Sequence, residues 1–410
     1  MHAVLSRVQR KAGRLLREWV PYHRQYRPVG VHASSAQLAQ QAGSGATYYE
    51  IEPAHTSTLV LPIGFYECAA DFSGLHGKPN TTEQLPTAFV VTLRNGRVYA
   101  DNPNSVAIIS HDNRLVGDVS FQYGGSWDLT QPEHNNIFRQ QWFLEPTRIE
   151  GTVCSLLSGG GAASGNYYHW LIDSLPRLHL LQEAGLLSSV DYFLVYNRNH
   201  GFVRESLAHL GIGPERIIDV ETHRHVQATQ LIATTSVRGS GNHVPQWAAN
   251  YLRQAFLPAD AALASRFGPL VYISRRDASV RQTRNEAEVE KLLHGYGFET
   301  HVLSPYSFAE KVALFAGARI IVSPVGAGLT NLVFCPNGSD LVELFPEHFV
   351  VADYLDLATK AGMHYHFQLS TLGATVKNRW EAWEEDLLID VDALRAKVEP
   401  LVAATKQQLA

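Results

Sequence analysis

The stretch L-V-Y-I-S-R-R-D-A-S-V-R-Q-T-R-N-E-A-E-V, residues 270–289, decides the fold. Leu270–Ser274 is a short apolar run of β-branched and aromatic residues, the composition of a buried strand. An arginine-rich loop follows. Asn285-x-x-Glu288 then has the spacing of a capping box and opens a helix that stops at Gly295. Strand, loop and helix make one βα unit. The same grammar continues downstream: strand Phe298–Leu303, capping box Ser307-x-x-Glu310, a helix stopping at Gly317, strand Arg319–Ser323, a short helix after Gly328, and strand Asp340–Phe345. Strand starts recur roughly every 20 to 30 residues, as βα units require, so the strands form a parallel sheet with helices on its faces.

Upstream, a second half has the same character. Thr152–Leu157 reads as a strand, Gly159–Gly165 as a bare loop, and the next segment as a helix of about 18 residues ending before Gly185. Strand Tyr192–Tyr196, a helix around Phe202–Leu210, strands Ile217–Val220 and Gln230–Thr234, and a helix from about Pro245 to Leu257 complete it. The join falls near Pro258–Gly268. Residues 45–150 are β-like, with T-S-T-L-V-L, A-F-V-V-T-L, G-R-V-Y-A, S-V-A-I-I-S and D-V-S-F-Q-Y separated by R-N-G, D-N-P-N and H-D-N turns. The expected fold is α/β with two Rossmann-like domains and an N-terminal β-rich elaboration. The expected division is a basic helix at 1–30; a first lobe at 31–262, with a β-rich front to 150 and an α/β half from 151; a second domain at 263–385; and a terminal helix at 386–410 packing back on the first lobe.

The 410 residues, 45% hydrophobic and 18% charged, suit a chain of two or three ordered domains. A net charge of −5 gives no reason to expect nucleic acid. Cys68, Cys154 and Cys335 are too sparse for a disulfide framework and lack zinc-ligand spacing, which fits a reducing, cytoplasmic setting. No apolar run approaches the roughly 18 residues of a spanning helix. In residues 1–25, Val4, Leu5, Val8, Leu15, Leu16 and Trp19 share one side and Arg7, Arg10, Lys11, Arg14 and Arg17 the other. Such a helix packs on its own protein or lies on an anionic membrane surface.

Ligands of α/β sheets sit outside the carboxyl ends of the strands, and three stretches lie there. In G-G-G-A-A-S-G-N-Y-Y-H-W-L-I-D-S-L-P-R, residues 159–177, the third glycine of a dinucleotide fingerprint is missing. Tyr168, Leu171, Ile172, Leu175 and Leu178 form a buried stripe. His169, Asp173 and Arg177 follow at four-residue spacing along another side, and Pro176 implies a kink. A solvated helix face is the alternative. In the second stretch, Arg275, Arg276, Arg281 and Arg284 crowd one loop; guanidinium groups bind phosphate bidentately, and a solvated basic loop is the alternative. In the third, I-I-V-S-P-V-G-A-G-L-T-N-L-V-F, residues 320–334, Gly326 and Gly328 open a short helix with free backbone donors. Thr330 and Asn331 add side-chain donors, and Glu343 stands downstream as an acid among apolar neighbours. Asp390-Val391-Asp392 spells a metal-binding D-x-D, but Asp392 is more simply the N-cap of the last helix.

Together, G-N-Y-Y-H-W-L-I-D-S-L-P-R-L, Y-I-S-R-R-D-A-S-V-R-Q-T-R-N-E-A-E-V and G-A-G-L-T-N-L-V-F-C-P-N-G-S-D-L-V-E-L-F-P resemble family 61 glycosyltransferases, whose bacterial members act in capsular and other surface polysaccharide pathways. The resemblance runs from about 151 to 350. It implies a GT-B architecture, two Rossmann-like domains facing a cleft, and inverting transfer without an essential metal or other cofactor. The implied partners are a nucleotide-sugar donor, most often a UDP-sugar, and a glycan or glycolipid acceptor; the implied location is cytoplasmic, at the inner face of the membrane if residues 1–25 engage it. Asp173 is then the first choice of base, with His169 as its partner or substitute. Arg275, Arg276, Arg281, Gly326, Gly328, Leu329, Thr330, Asn331 and Glu343 are expected at the nucleotide sugar, with Glu343 on the ribose. Asn166, Arg177 and His243 are expected on the acceptor side. Relatives often carry a histidine where this chain has Val325, so any role of that histidine is lost or moved to His169 or His243. A non-catalytic nucleotide-sugar or glycan-binding protein is the alternative reading.

Overall fold

The computed structural model describes residues 19–65, 81–102, 104–124, 129–239, 241–373 and 375–409. Most of the basic N-terminal helix expected at 1–30, its first 18 residues, therefore lies outside the described residues. Among the described residues, no helix is long and apolar enough to cross a membrane. The chain is a mixed α/β protein with several sheets, and it divides into two compact units. The first holds residues 1–55 and 86–240, the second 56–85 and 241–410. The division falls about 20 residues before the expected join, and a short upstream insertion belongs to the second unit.

The first unit is organised on an 11-stranded sheet. Thr147–Ser155 runs parallel to Tyr192–Val195 on one side and to His225–Thr234 on the other, and Ile217–Asp219 continues the parallel part. His225–Thr234 also pairs antiparallel with Ala88–Arg94 and with Arg97–Asn102. The β-rich front is thus continuous with the α/β half. The physical reason is a shared apolar side: Val226, Ala228 and Leu231 are buried with Val91, Leu93 and Val98 in one core cluster.

The helix expected to run unbroken to Gly185 comes in pieces. Asn166 caps it, accepting from the Tyr168 N–H at 2.9 Å. One turn, Tyr167–His169, leads into a wide π turn over Trp170–Ser174, closed by the Leu175 N–H on the Trp170 carbonyl at 2.9 Å, and a regular helix resumes at Arg177–Glu183. The break comes where Pro176, lacking an N–H, cannot continue the ladder. The expected stripe is buried throughout, from Tyr168 to Leu178.

The second unit holds a five-stranded, all-parallel sheet in the order Glu299–Val302, Leu270–Ser274, Ile320–Pro324, Asp340–Phe345, His364–Leu369. In chain order this is second, first, third, fourth, fifth. Connections from the first strand therefore leave in opposite directions, which opens a crevice at the carboxyl ends of Leu270–Ser274 and Ile320–Pro324. Ser307 and Glu310 form the expected capping box. Asn285 does not cap its helix: its side chain pairs instead with both backbone groups of Ile389, at 2.8 and 3.0 Å. The terminal helix Val391–Leu409 also departs from expectation. It packs within the second unit, where Leu394, Val398 and Val402 are buried with Val289 and Leu293. Its cap is Asp390, which accepts from the N–H groups of Asp392 and Ala393, so Asp392 is not the cap.

Candidate active site

In the first unit the chemistry gathers at the π turn. Asp173 Oδ2 lies 2.7 Å from His169 Nδ1. Arg238, on the turn after strand His225–Thr234, donates from Nε to Oδ1 at 2.7 Å and from a terminal nitrogen to Oδ2 at 3.0 Å. Burial raises the Asp173 pKa, but the Arg238 charge and the hydrogen bonds from His169 and Arg238 outweigh it, and the carboxyl titrates well below the usual carboxylate range. An ionised carboxylate only accepts, so neutral His169 carries its proton on Nδ1 and keeps a lone pair on Nε2. The imidazole remains partly open to solvent, 27% exposed against 11% for the Asp173 side chain. Asp173, chosen first as base from the sequence, is forked by Arg238, and a carboxylate held in that way is a weak base.

The other residues expected nearby serve the fold. Arg177 is buried, donating to the Asp173 carbonyl and to Thr234. Asn166 spends its side-chain oxygen on the helix cap. The bare loop is filled from within the protein, since a Cβ at Gly159 would stand 1.9 Å from the Tyr123 ring. His243 belongs to the second unit. It is buried there, 3.0 Å from Ser57 Oγ, with its backbone N–H held by Glu83.

In the second unit the crevice between the first and third strands is occupied by Arg275, which directly follows Ser274. A Cβ at Gly326 would meet the Arg275 guanidinium at 1.8 Å, so any side chain at position 326 would displace it. Arg281, six residues further along the loop, is buried at a left-handed φ of 57°. Among the described residues neither arginine has a carboxylate ion pair, and the Nε atom of each is buried without a hydrogen-bond partner. Burial, then repulsion from Arg275, push Arg281 down to about 10. Glu343 is buried on the fourth strand. Its Oε2 accepts from the Tyr365 hydroxyl at 2.6 Å and its Oε1 has no partner. Desolvation drives its pKa well above the ordinary carboxylate value.

The remaining expected contacts are turned inward or outward. Arg276 is exposed and ion-paired with Glu286 and Glu290 on the helix that follows its loop. Arg284 faces Asp386. Thr330 and Asn331, expected as ligand donors, are buried and donate to the carbonyls of Ala327 and Gly328, closing the turn they sit on. Leu329 is core, and a Cβ at Gly328 would meet Leu303 at 2.7 Å. Val325 is buried and its N–H pairs with Leu344. Sequence reasoning missed Arg238, whose signal was an arginine in the glycine-rich turn after a strand. It also missed Phe349, Tyr365 and Trp383, which are ordinary aromatics until the sheet assembles. Among the described residues one set of side chains has a metal-ligand composition, Glu347, His348 and Glu385, with a donor atom from each within 4.8 Å of the others; here His348 and Glu385 pair with one another at 3.1 Å.

Residues 167–342 match the family model Glycosyltransferase 61. Protein O-linked-mannose beta-1,4-N-acetylglucosaminyltransferase 2 of Xenopus tropicalis is 29% identical over 164 residues, which are 37% of this chain and 27% of the relative. The chain thus spans about a quarter of that relative's length. The matched segment contains His169, Asp173, Arg238, Arg275, Arg281 and Gly326, and both comparisons are with glycosyltransferases.

Proposed function

We propose that the chain is an inverting glycosyltransferase that moves a sugar from a nucleoside-diphosphate sugar, a UDP-sugar, to a hydroxyl of a glycan acceptor in surface polysaccharide synthesis. One observation carries the reading: two guanidinium groups without carboxylate partners stand at the strand-order reversal of a parallel sheet. Drawing such cations inward costs free energy that an anionic ligand would return, and a diphosphate matches their charge and forked donors.

In the proposed reaction the acceptor oxygen attacks the anomeric carbon as the bond from that carbon to the diphosphate oxygen breaks. The hydroxyl proton passes to His169 Nε2. The bonding pair leaves on the diphosphate, where Arg275, Arg281 and the backbone donors after Gly326 stabilise the developing charge. Asp173 holds the imidazole tautomer and stabilises the imidazolium, and Arg238 fixes Asp173. In this reading Glu343 is a neutral group lining the nucleotide, with its free oxygen available to a ribose hydroxyl after a small side-chain shift.

Thermal-shift and calorimetric titration with UDP, UMP and uridine tests the proposal, with and without chelator. The expected result is stabilisation graded by phosphate number, undiminished by chelator and lost in Arg275→Ala/Arg281→Ala. Equal binding of uridine and UDP, or full binding by the double variant, would sink it.

A further inference from the structure

Arg281 is held in an unusual way. Its guanidinium carbon lies 5.0 Å from the ring centroid of Phe349 and 5.0 Å from that of Trp383. Aromatic faces attract a cation without accepting its N–H bonds in the plane. A carboxylate would immobilise the group too, but would consume both its charge and its fork of donors. The ring stack fixes the plane and leaves the charge uncancelled.

The two rings come from different segments that the chain ties down. Phe349 lies just past strand Asp340–Phe345, and Trp383 is on helix Arg379–Glu384. His348, beside Phe349, donates its backbone N–H to Glu385 Oε2 at 3.1 Å and sets its Nδ1 3.1 Å from the same oxygen; Glu385 lies two residues after Trp383. The segment after Glu385 is bridged to the arginine's own loop: the Leu387 N–H donates to the Gln282 carbonyl at 2.8 Å, and the Arg284 N–H to the Leu387 carbonyl at 2.7 Å. Phe349 is buried, whereas Trp383 is 40% exposed. The left-handed backbone at Arg281 is held by contacts from both sides.

We infer that Phe349 and Trp383, tethered by His348 and Glu385, form an aromatic clamp that positions Arg281 for the donor's diphosphate. The inference rests on the diphosphate reading above and adds two positioning residues to it. The clamp acts on phosphate through Arg281, so its loss weakens any ligand carrying a diphosphate, with or without a base.

Binding of UDP and of inorganic pyrophosphate to the full chain tests this, in Trp383→Ala, Trp383→Phe, Phe349→Leu, Arg281→Ala and Arg281→Ala/Trp383→Ala, with melting curves beside each. Trp383→Ala and Phe349→Leu should each weaken both ligands about tenfold, and Trp383→Phe should recover most of the loss, since a smaller ring still stacks. In the Arg281→Ala background, Trp383→Ala should cost nothing further. Full affinity in Trp383→Ala, an undiminished loss in the Arg281→Ala background, or a loss for UDP with none for pyrophosphate would each overturn the clamp. The last pattern would place Trp383 against the base instead. If Arg281→Ala itself binds both ligands as the parent does, the diphosphate reading fails first.

Discussion

In the first unit Arg238 meets Asp173 at 2.7 and 3.0 Å, and His169 completes a cluster whose charges cancel where they stand. In the second unit Arg275 and Arg281 are drawn inward with no carboxylate ion pair among the described residues, and Arg281 is held by two ring faces instead. Both regions follow the carboxyl ends of parallel strands. The difference separates two tasks. A group that must hold one tautomer needs its counter-charge built in, whereas a group that must receive an anion needs its counter-charge left out.

The largest test of the contrast is catalytic. His169→Ala should cut transfer about 1,000-fold and Asp173→Asn about 100-fold, both with UDP affinity unchanged, as removal of a base and of its orienter predicts. Turnover and UDP titration on the same preparations check it; a parallel fall in UDP affinity would erase the division of labour.

Next comes stability. Arg238→Met leaves the buried Asp173 charge unpaired and should cost about 3 kcal/mol by chemical denaturation, while Arg275→Met, which removes a cation lacking a carboxylate partner, should stay within about 1 kcal/mol of the parent. Arg275→Ala/Arg281→Ala should meanwhile weaken UDP by roughly 100-fold, or about 2.7 kcal/mol.

The two units should also answer pH with opposite signs. In the first, burial and the neighbouring Arg97 lower His225 from 6.5 to about 4, though its bond to the Leu144 carbonyl resists. Between those values the unfolded chain binds the extra proton, so stability falls as pH drops from 6.5 toward 4, with a slope approaching about 1.4 kcal/mol per pH unit. In the second, Glu343 is raised well above 4.5, so the folded form binds the extra proton and its contribution falls as pH rises through that range. Hydrogen exchange of amides in His225–Thr234 and in Asp340–Phe345, read against His225→Asn and Glu343→Gln, should show the two slopes and their removal. The smallest expected effect is Ser307→Ala, about 1 kcal/mol from loss of one satisfied helix cap, seen in the second unit alone.

The second sheet was legible almost strand for strand, because each βα unit announces itself locally through an apolar run, a cap and a stop glycine. The first was read as separate β-rich and α/β parts, because nothing local to His225–Thr234 says that its two neighbours run in opposite directions. The matched site residues were found through loop position and charge, but their partners were not. The sequence offered Asp173 as first choice of base with His169 beside it, and Arg275 and Arg281 at the nucleotide sugar, with no sign that Arg238 would claim Asp173.

Read alone, the chain fixed the parallel second sheet, the buried stripe from Tyr168 to Leu178 and the arginines after Leu270–Ser274, since periodicity and strand-end position are local properties. Only the tertiary structure decided which charges are cancelled. Ion pairing is set by contacts such as Arg238 with Asp173, 65 residues apart in the chain, and by rings such as Phe349 and Trp383 that close on Arg281 from distant segments. Those distances are products of folding, and the free energy of a buried charge depends on them more steeply than on any feature a linear pattern carries.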